Sequence, residues 1–408
     1  MIPSLTIGFF FALLVYPVNP IVCGAIFLLY LLSILLLLSG FLSRIVITLP
    51  CFLLVVLISA NLLQWFLDPN RFSPDWVLRA KAVQGYLYLA LMVLIRPLVR
   101  KEKLPLGSVS ISSLSFLFTG IPLIYSVVYA FSYTIGGANR ASFLTEHNFE
   151  LAFLMTILGL RQLFFSQSFV ARALLWPTKS MHWLQGLSLA FFSRSLSGSL
   201  SLAIVFIGNW QSSKPALKSI VNSSNFFFLF KKKSLYPLLA VSTVILYLVI
   251  NSVIFLRSGK VGADRSSYLF SLLNNYNFYD LVFGRGISSI LPVDMSAQLL
   301  AQSNLQSQLD SFGNATSLLL HSAWLRVVAD TGLVGMFIVV FAFLSLFNSL
   351  PVYVILIVLG PVFSSGFSVG GFFNPAASFI LFLSIYLLAC LPLSYVGTIS
   401  RSSNPLKT

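Results

Sequence analysis

Three groups of polar and glycine residues in this apolar chain have the types and spacing to do chemistry. The first is Gly136-Gly137-Ala138-Asn139-Arg140, followed by Thr145-Glu146-His147-Asn148-Phe149-Glu150. The second is Asp264-Arg265 with Phe283-Gly284-Arg285-Gly286 further along. The third is His321-Ser322, then nine residues, then Gly332-Leu333-Val334-Gly335. Arginines with few adjacent acids suit a pyrophosphate or another oxyanion, because guanidinium binds phosphate bidentately and stays charged. A histidine at a membrane edge can serve as a general base near neutral pH. Arg285 lies between two glycines that permit close backbone approach to a ligand, although a plain turn would use them equally well. Glu146 and His147 stand near Arg140, where a salt bridge or a helix cap is the alternative to a direct role. Arg194, flanked by serines at the start of an apolar run, is a cation whose burial would need a reason.

The same survey bounds the chemistry. No second histidine lies at metal-ligand spacing from His321, and no HExxH, DxD, GxSxG or P-loop pattern occurs. Neither a metal nor an organic cofactor is therefore expected. Tyr268, Tyr276 and Tyr279 offer aromatic faces on which a ligand could stack. Together these residues suit a polyanionic substrate.

The elements that must position them follow from composition. The chain has 408 residues, 58% hydrophobic and 9% charged, whereas a soluble chain keeps roughly a quarter of its residues charged. Phe52–Leu67, Leu235–Leu256 and Thr331–Ser400 carry no charged side chain at all. In lipid every backbone polar group must be satisfied internally, so only a helical bundle or a closed barrel can span. Long apolar runs without alternation select the bundle. Hydropathy predicts an all-α polytopic membrane protein of about twelve spans, each needing about 20 residues. They fall near 4–18, 20–38, 45–66, 82–99, 111–132, 148–166, 174–192, 197–211, 234–256, 326–348, 351–367 and 373–395. Residues 1–256 then hold nine spans with short loops, 257–325 form one large outer loop, and 326–408 hold three spans and a tail. No basic residue precedes the first apolar run, which argues against a cleaved leader. Cys23, Cys51 and Cys390 read as small apolar filler.

Charge orients the bundle. With both termini inside, fifteen of the 25 basic residues face the cytoplasm, including the Lys101-Glu102-Lys103 and Lys231-Lys232-Lys233 clusters. Nine of the ten acids (Asp68, Asp75, Glu146, Glu150, Asp264, Asp280, Asp294, Asp310 and Asp330) fall outside or at that edge. This agrees with the positive-inside rule, and anionic lipid is the natural partner of the inner clusters. Nothing resembles a soluble basic domain, so nucleic acid is not expected as a partner. All three polar groups then meet one outer face. The leucines and aromatics of the long loop recur at helical spacing (Tyr268, Leu269, Leu272, Leu273, Tyr276), which predicts that it is ordered.

At this point the residues carry a resemblance. "HSAWLRVVADTGLVG" resembles the outer-loop signature of the O-antigen ligase and O-antigen polymerase superfamily. "DRSSYLFSLLNNYNFYDLVFGRGISSILP" is similar to its arginine, short helix and Phe-Gly-x-Gly pattern. "NRASFLTEHNFELAFLM" and "SRSLSGSLSLAIVF" resemble its earlier outer loop and its Ser/Arg-rich span start, in the same order along the chain. The likeness runs from about residue 135 to 348. It implies a bacterial inner-membrane, metal-independent glycosyltransferase of the membrane-embedded GT-C type, acting at the periplasmic face on glycans carried by undecaprenyl pyrophosphate. On that likeness Arg140 and Arg265 would hold the donor pyrophosphate and His321 would orient or deprotonate the acceptor hydroxyl. Arg285, Arg194, Glu146, His147 and Tyr268 would help bind substrate.

Ser322 stands where asparagine is common in that pattern, and the motifs are shared by two enzyme classes. A repeat-unit polymerase is the first reading, with a lipid-linked glycan as acceptor and a chain-length regulator as a candidate partner. A ligase moving the finished glycan to lipid A–core is the second. A transporter of lipid-linked glycans is the third, but it should carry ionisable residues mid-span and inverted repeats. The spans between 20 and 66 and between 234 and 256 are nearly free of charge.

Overall fold

The computed structural model describes residues 20–39, 47–101, 120–134, 264–302, 309–320 and 322–346, with isolated positions at 154, 155, 157–159, 187, 373, 378, 381 and 382. The described residues are almost wholly helical. Their helices are α1 (Pro20–Ser39), α2 (Leu49–Leu67), α3 (Trp76–Lys101), α4 (Ile121–Thr134), α5 (Asp264–Asn275), α6 (Phe278–Phe283), α7 (Val293–Gln302) and α8 (Ala323–Leu346). Short 3-10 turns occupy Pro69–Arg71 and Ser317–Leu319. No strand occurs among the described residues, only the isolated antiparallel bridges Phe72–Ser289 and Ile290–Thr316.

Three helices are long and apolar enough to cross a membrane: Leu49–Leu67, Trp76–Pro97 and Ala323–Leu346, with mean hydropathies of 2.0, 1.4 and 2.3. At 1.5 Å per residue the shortest and longest measure roughly 28 and 36 Å, against a hydrocarbon core of about 30 Å. The protein is thus a helical chain with membrane-spanning character.

α2 shows how the sequence divides its faces. Cys51, Leu54, Ile58 and Asn61 recur at helical spacing and are buried, while Phe52, Val55, Val56 and Leu63 are exposed. Pro50 starts the helix, where its missing N–H costs nothing. Asp68 ends it, because the ring of Pro69 disfavours helical geometry at the preceding residue. The chain reverses through Pro69–Arg71 and re-enters a helix at α3, where the Asp75 carboxylate accepts the amides of Val77 and Leu78 at 2.9 and 3.3 Å. That cap starts the helix ahead of the predicted span at 82–99 and draws Arg79 and Lys81 into it. Arg79 is accommodated over the Trp65 ring, 5.3 Å from its centroid.

α8 is the central helix, buried over most of its length and packed on α2, α3 and α6. It runs parallel to α3: the Arg96 guanidinium near the end of α3 donates to Leu346 O at 2.8 Å at the end of α8. α1 closes the other side of α3, through Tyr88 Oη to Gly24 O at 3.0 Å and an edge-on contact of Phe27 with Tyr88. The start of α8, the end of α2 and the start of α3 therefore share one end of the bundle, and α5 to α7 gather there.

α5 realises the periodicity of the long loop. Tyr268, Leu269, Leu272 and Tyr276 are buried, and Leu273 is exposed.

Candidate functional site

The site is built on a break in α8. Gly332 has φ 68° and ψ −171°, which interrupts the helix between Thr331 and Leu333. A break of this kind frees the carbonyls of the preceding turn from their usual i+4 donors. The turn Gly284-Arg285-Gly286 supplies the missing amides: Arg285 N donates to Ala329 O at 3.1 Å and Gly286 N to Asp330 O at 2.8 Å. The two backbones meet so closely that glycine is required on both sides. A Cβ on Gly284 would strike the Asp330 carbonyl and Thr331 Cα, and one on Gly332 would strike the Val282 carbonyl and the Gly284 amide. Both glycines also have positive φ. Gly335 is fixed by the Thr331 side chain, which bonds back to Val327 O at 2.8 Å. The glycines of the second and third sequence groups are thus one interlocked contact.

The next residues are clamped by α2 and by the loop after it. Ile287 N donates to Asn61 Oδ1 at 2.8 Å, and Trp65 Nε1 donates to Ile287 O at 2.9 Å. A Cβ on Gly286 would meet the Phe72 ring and Gln64 Oε1. Ser288 adopts φ 68°, costly for a residue with a Cβ; its N–H reaches Asp330 Oδ1 at 3.4 Å. Beyond it, Ile290 N bonds to Arg71 O and Leu291 N to Ala315 O, at 3.0 and 2.9 Å. Residues 71–73, 288–291 and 315–316 therefore lie side by side over the bundle end.

A second polar anchor is Asp310. It accepts from the Ser73 hydroxyl at 2.7 Å, from the Asn314 amide and side chain at 2.7 and 3.0 Å, and from Phe312 N at 2.9 Å. Burial pushes its carboxyl up, but these hydrogen bonds outweigh that and hold it below the usual value.

The charges of the site sit around this frame. Arg71 pairs with Asp280 at 2.9 Å. The Arg285 guanidinium lies over the Tyr276 ring at 5.7 Å. Tyr276 is buried, its phenol is pushed well above the usual range by desolvation, and the nearby Arg285 opposes that shift. Arg326 is buried over the Phe373 ring at 5.1 Å and donates to Leu318 O at 3.3 Å. Asp330 is fully buried one turn further along α8. Ser288 Oγ, Ser289 Oγ, Thr316 Oγ1 and Arg285 Nε are buried with no hydrogen-bond partner among the described residues. Such groups are satisfied in folded proteins by water or a polar ligand. The frame thus brings together two guanidinium groups, Arg285 over the Tyr276 ring and Arg71 paired with Asp280, and a set of buried hydroxyls.

Of the residues named from sequence, Arg285 lies in this frame and Arg265 lies in the first turn of α5. Tyr268 is 2% exposed, its ring taken up by the core, whereas Tyr279 is exposed. Arg140, Glu146, His147, Arg194 and His321 lie outside the described residues. Ser322 is placed: its carbonyl accepts Arg326 N at 3.0 Å and its hydroxyl accepts Leu325 N at 3.4 Å, so it caps α8. No cluster of three or more His, Cys, Asp or Glu occurs among the described residues. Sequence reasoning missed Asn61, Trp65, Arg71, Asp310 and Asp330. Asn61 alone left a signal, as a lone amide on the buried face of an apolar helix. Asp330, which the charge pattern puts on the outer face or its edge, is buried in α8, as is Arg326.

Comparison with protein-family models, with curated proteins and with solved structures finds no match to this chain.

Proposed function

We propose that the protein is a bacterial inner-membrane glycosyltransferase that polymerises surface-polysaccharide repeat units at the periplasmic face. The donor is a glycan on undecaprenyl pyrophosphate and the acceptor a second lipid-linked unit. The acceptor hydroxyl oxygen attacks the anomeric carbon, the bond to the pyrophosphate oxygen breaks, and undecaprenyl pyrophosphate departs with the electron pair. His321 takes the hydroxyl proton, and the anomeric centre inverts. Arg140 and Arg265 face the charge that grows on the leaving pyrophosphate, where fixed cations lower the barrier rather than merely binding substrate. About twelve spans on a GT-C-type plan carry this site.

The observation that supports this reading best is the interlock of Phe283-Gly284-Arg285-Gly286 with Gly332. Two segments that resemble the superfamily's motifs, distant in sequence, meet at one end of the candidate spans, with an arginine between them.

The test is deletion of the gene followed by complementation. Loss of the polymerase leaves core bearing one repeat, whereas loss of a ligase leaves long chains on the carrier. Arg265→Ala and His321→Ala should each abolish transfer while membrane insertion is unchanged. Full activity in either variant overturns the site assignment, and stranded long chains overturn the polymerase in favour of the ligase.

A further inference from the structure

The face of α6 turned away from the bundle is apolar in a way its neighbours do not require. Phe278, Tyr279 and Phe283 are 74%, 71% and 62% exposed, and at helical spacing they fall within one arc of about 140°, with half-buried Val282 between them. The other face is committed: Leu281 packs on the core and Asp280 is held by Arg71. A soluble surface rarely gathers three large aromatics on so short an element.

What covers this face follows from where it stands. The Arg71–Asp280 pair fastens α6 to the turn that directly follows the last residue of the candidate span Leu49–Leu67. Phe66 and Leu67 at that span's end, and Trp76 at the start of the next, are exposed in their turn. The apolar surface of α6 is thus at the same level as the terminal residues of two candidate spans. That is the level at which aromatic residues concentrate in membrane proteins, with rings among the glycerol groups and upper acyl carbons.

We propose that α6 lies in the interfacial layer of the membrane, with Phe278, Tyr279 and Phe283 in lipid. Phe283 adjoins Gly284, so this seat holds the Gly284–Gly286 turn and Arg285 at the depth of the lipid phosphates. The proposal concerns lipid contact alone and stands apart from the glycosyl-transfer reading.

The experiment uses the full chain in lipid nanodiscs, with Cys23, Cys51 and Cys390 replaced by alanine. A nitroxide is placed singly at Phe278→Cys, Tyr279→Cys or Phe283→Cys, with Phe66→Cys and Ser311→Cys as references. Collisions with oxygen, which concentrates in lipid, are compared with collisions with a water-soluble nickel chelate. Labels at 278, 279 and 283 should resemble the label at 66, with oxygen favoured several-fold over the chelate. Free access of the chelate to all three, as expected at 311, overturns the proposal. Protection from both reagents together with spin–spin broadening between copies also overturns it, because a second chain would then cover the face.

Discussion

Gly284 and Gly332 pack their backbones together: a side chain on Gly332 would run into the Gly284 amide, and one on Gly284 into the Asp330 carbonyl and Thr331 Cα just before Gly332. This contact sits where α8 breaks, and it carries the two amide bonds that replace the lost helical ones. An alanine at either position meets both a steric clash and an unfavourable φ. Gly284→Ala and Gly332→Ala should each cost about 3 kcal/mol or more. Gly313 also has positive φ, but nothing lies within 4 Å of its missing Cβ. Gly313→Ala should therefore cost only about 1 kcal/mol. Thermal unfolding of the purified protein in detergent would rank the three variants, and equal effects would refute the interlock.

Asp330 supports the same turn from below. Its backbone carbonyl holds Gly286 and its carboxylate holds Ser288. Asp330→Ala should destabilise by about 2–4 kcal/mol, since it orphans a buried amide and removes the acid nearest Arg326. Asp330→Asn keeps an acceptor for Ser288 N and should cost less than half as much. Chemical denaturation of the two variants decides; equal loss would mean that only the charge matters.

Ser288 is the strained member of the turn. Its hydroxyl is buried without a partner and its φ is positive. Ser288→Gly removes both penalties and should be neutral or stabilising by up to about 1 kcal/mol. A clear loss of melting temperature would show that the hydroxyl is engaged.

Asp310 makes the loop anchor sensitive to acid. Its folded pKa is held below the usual value, so the stability it adds is fully present above the unfolded value of about 3.9. That contribution fades as pH falls through the lower folded value. Asp310→Asn should melt below the parent protein at pH 7, and the gap should narrow below about pH 4. Melting curves across pH 3–7 would test this, a constant gap counting against it.

Arg71 and Asp280 form a half-exposed pair, with 33% and 16% of their side chains accessible. A double-mutant cycle with Arg71→Ala and Asp280→Ala should give a coupling of about 0.5–1 kcal/mol that weakens at high salt. A coupling near zero at low salt would mean that α6 is held by packing alone.

Local features were legible in the order of residues along the chain. Apolar runs fixed the character of Leu49–Leu67 and Ala323–Leu346, and the helical spacing of Tyr268, Leu269, Leu272, Leu273 and Tyr276 marked α5, although it did not show that Leu273 would face outward. Both depend on neighbours within a few turns, so composition and periodicity suffice to read them. Glycines and arginines of unusual spacing could likewise be picked out, but not paired. Tertiary structure alone decided that Gly284 meets Gly332, that Arg71 reaches Asp280, that Asn61 caps Ile287, and that Asp330 is buried rather than facing water. Each is a contact between segments far apart in the chain, set by how the helices stack. No local pattern encodes which distant backbone will fill a gap that only packing creates.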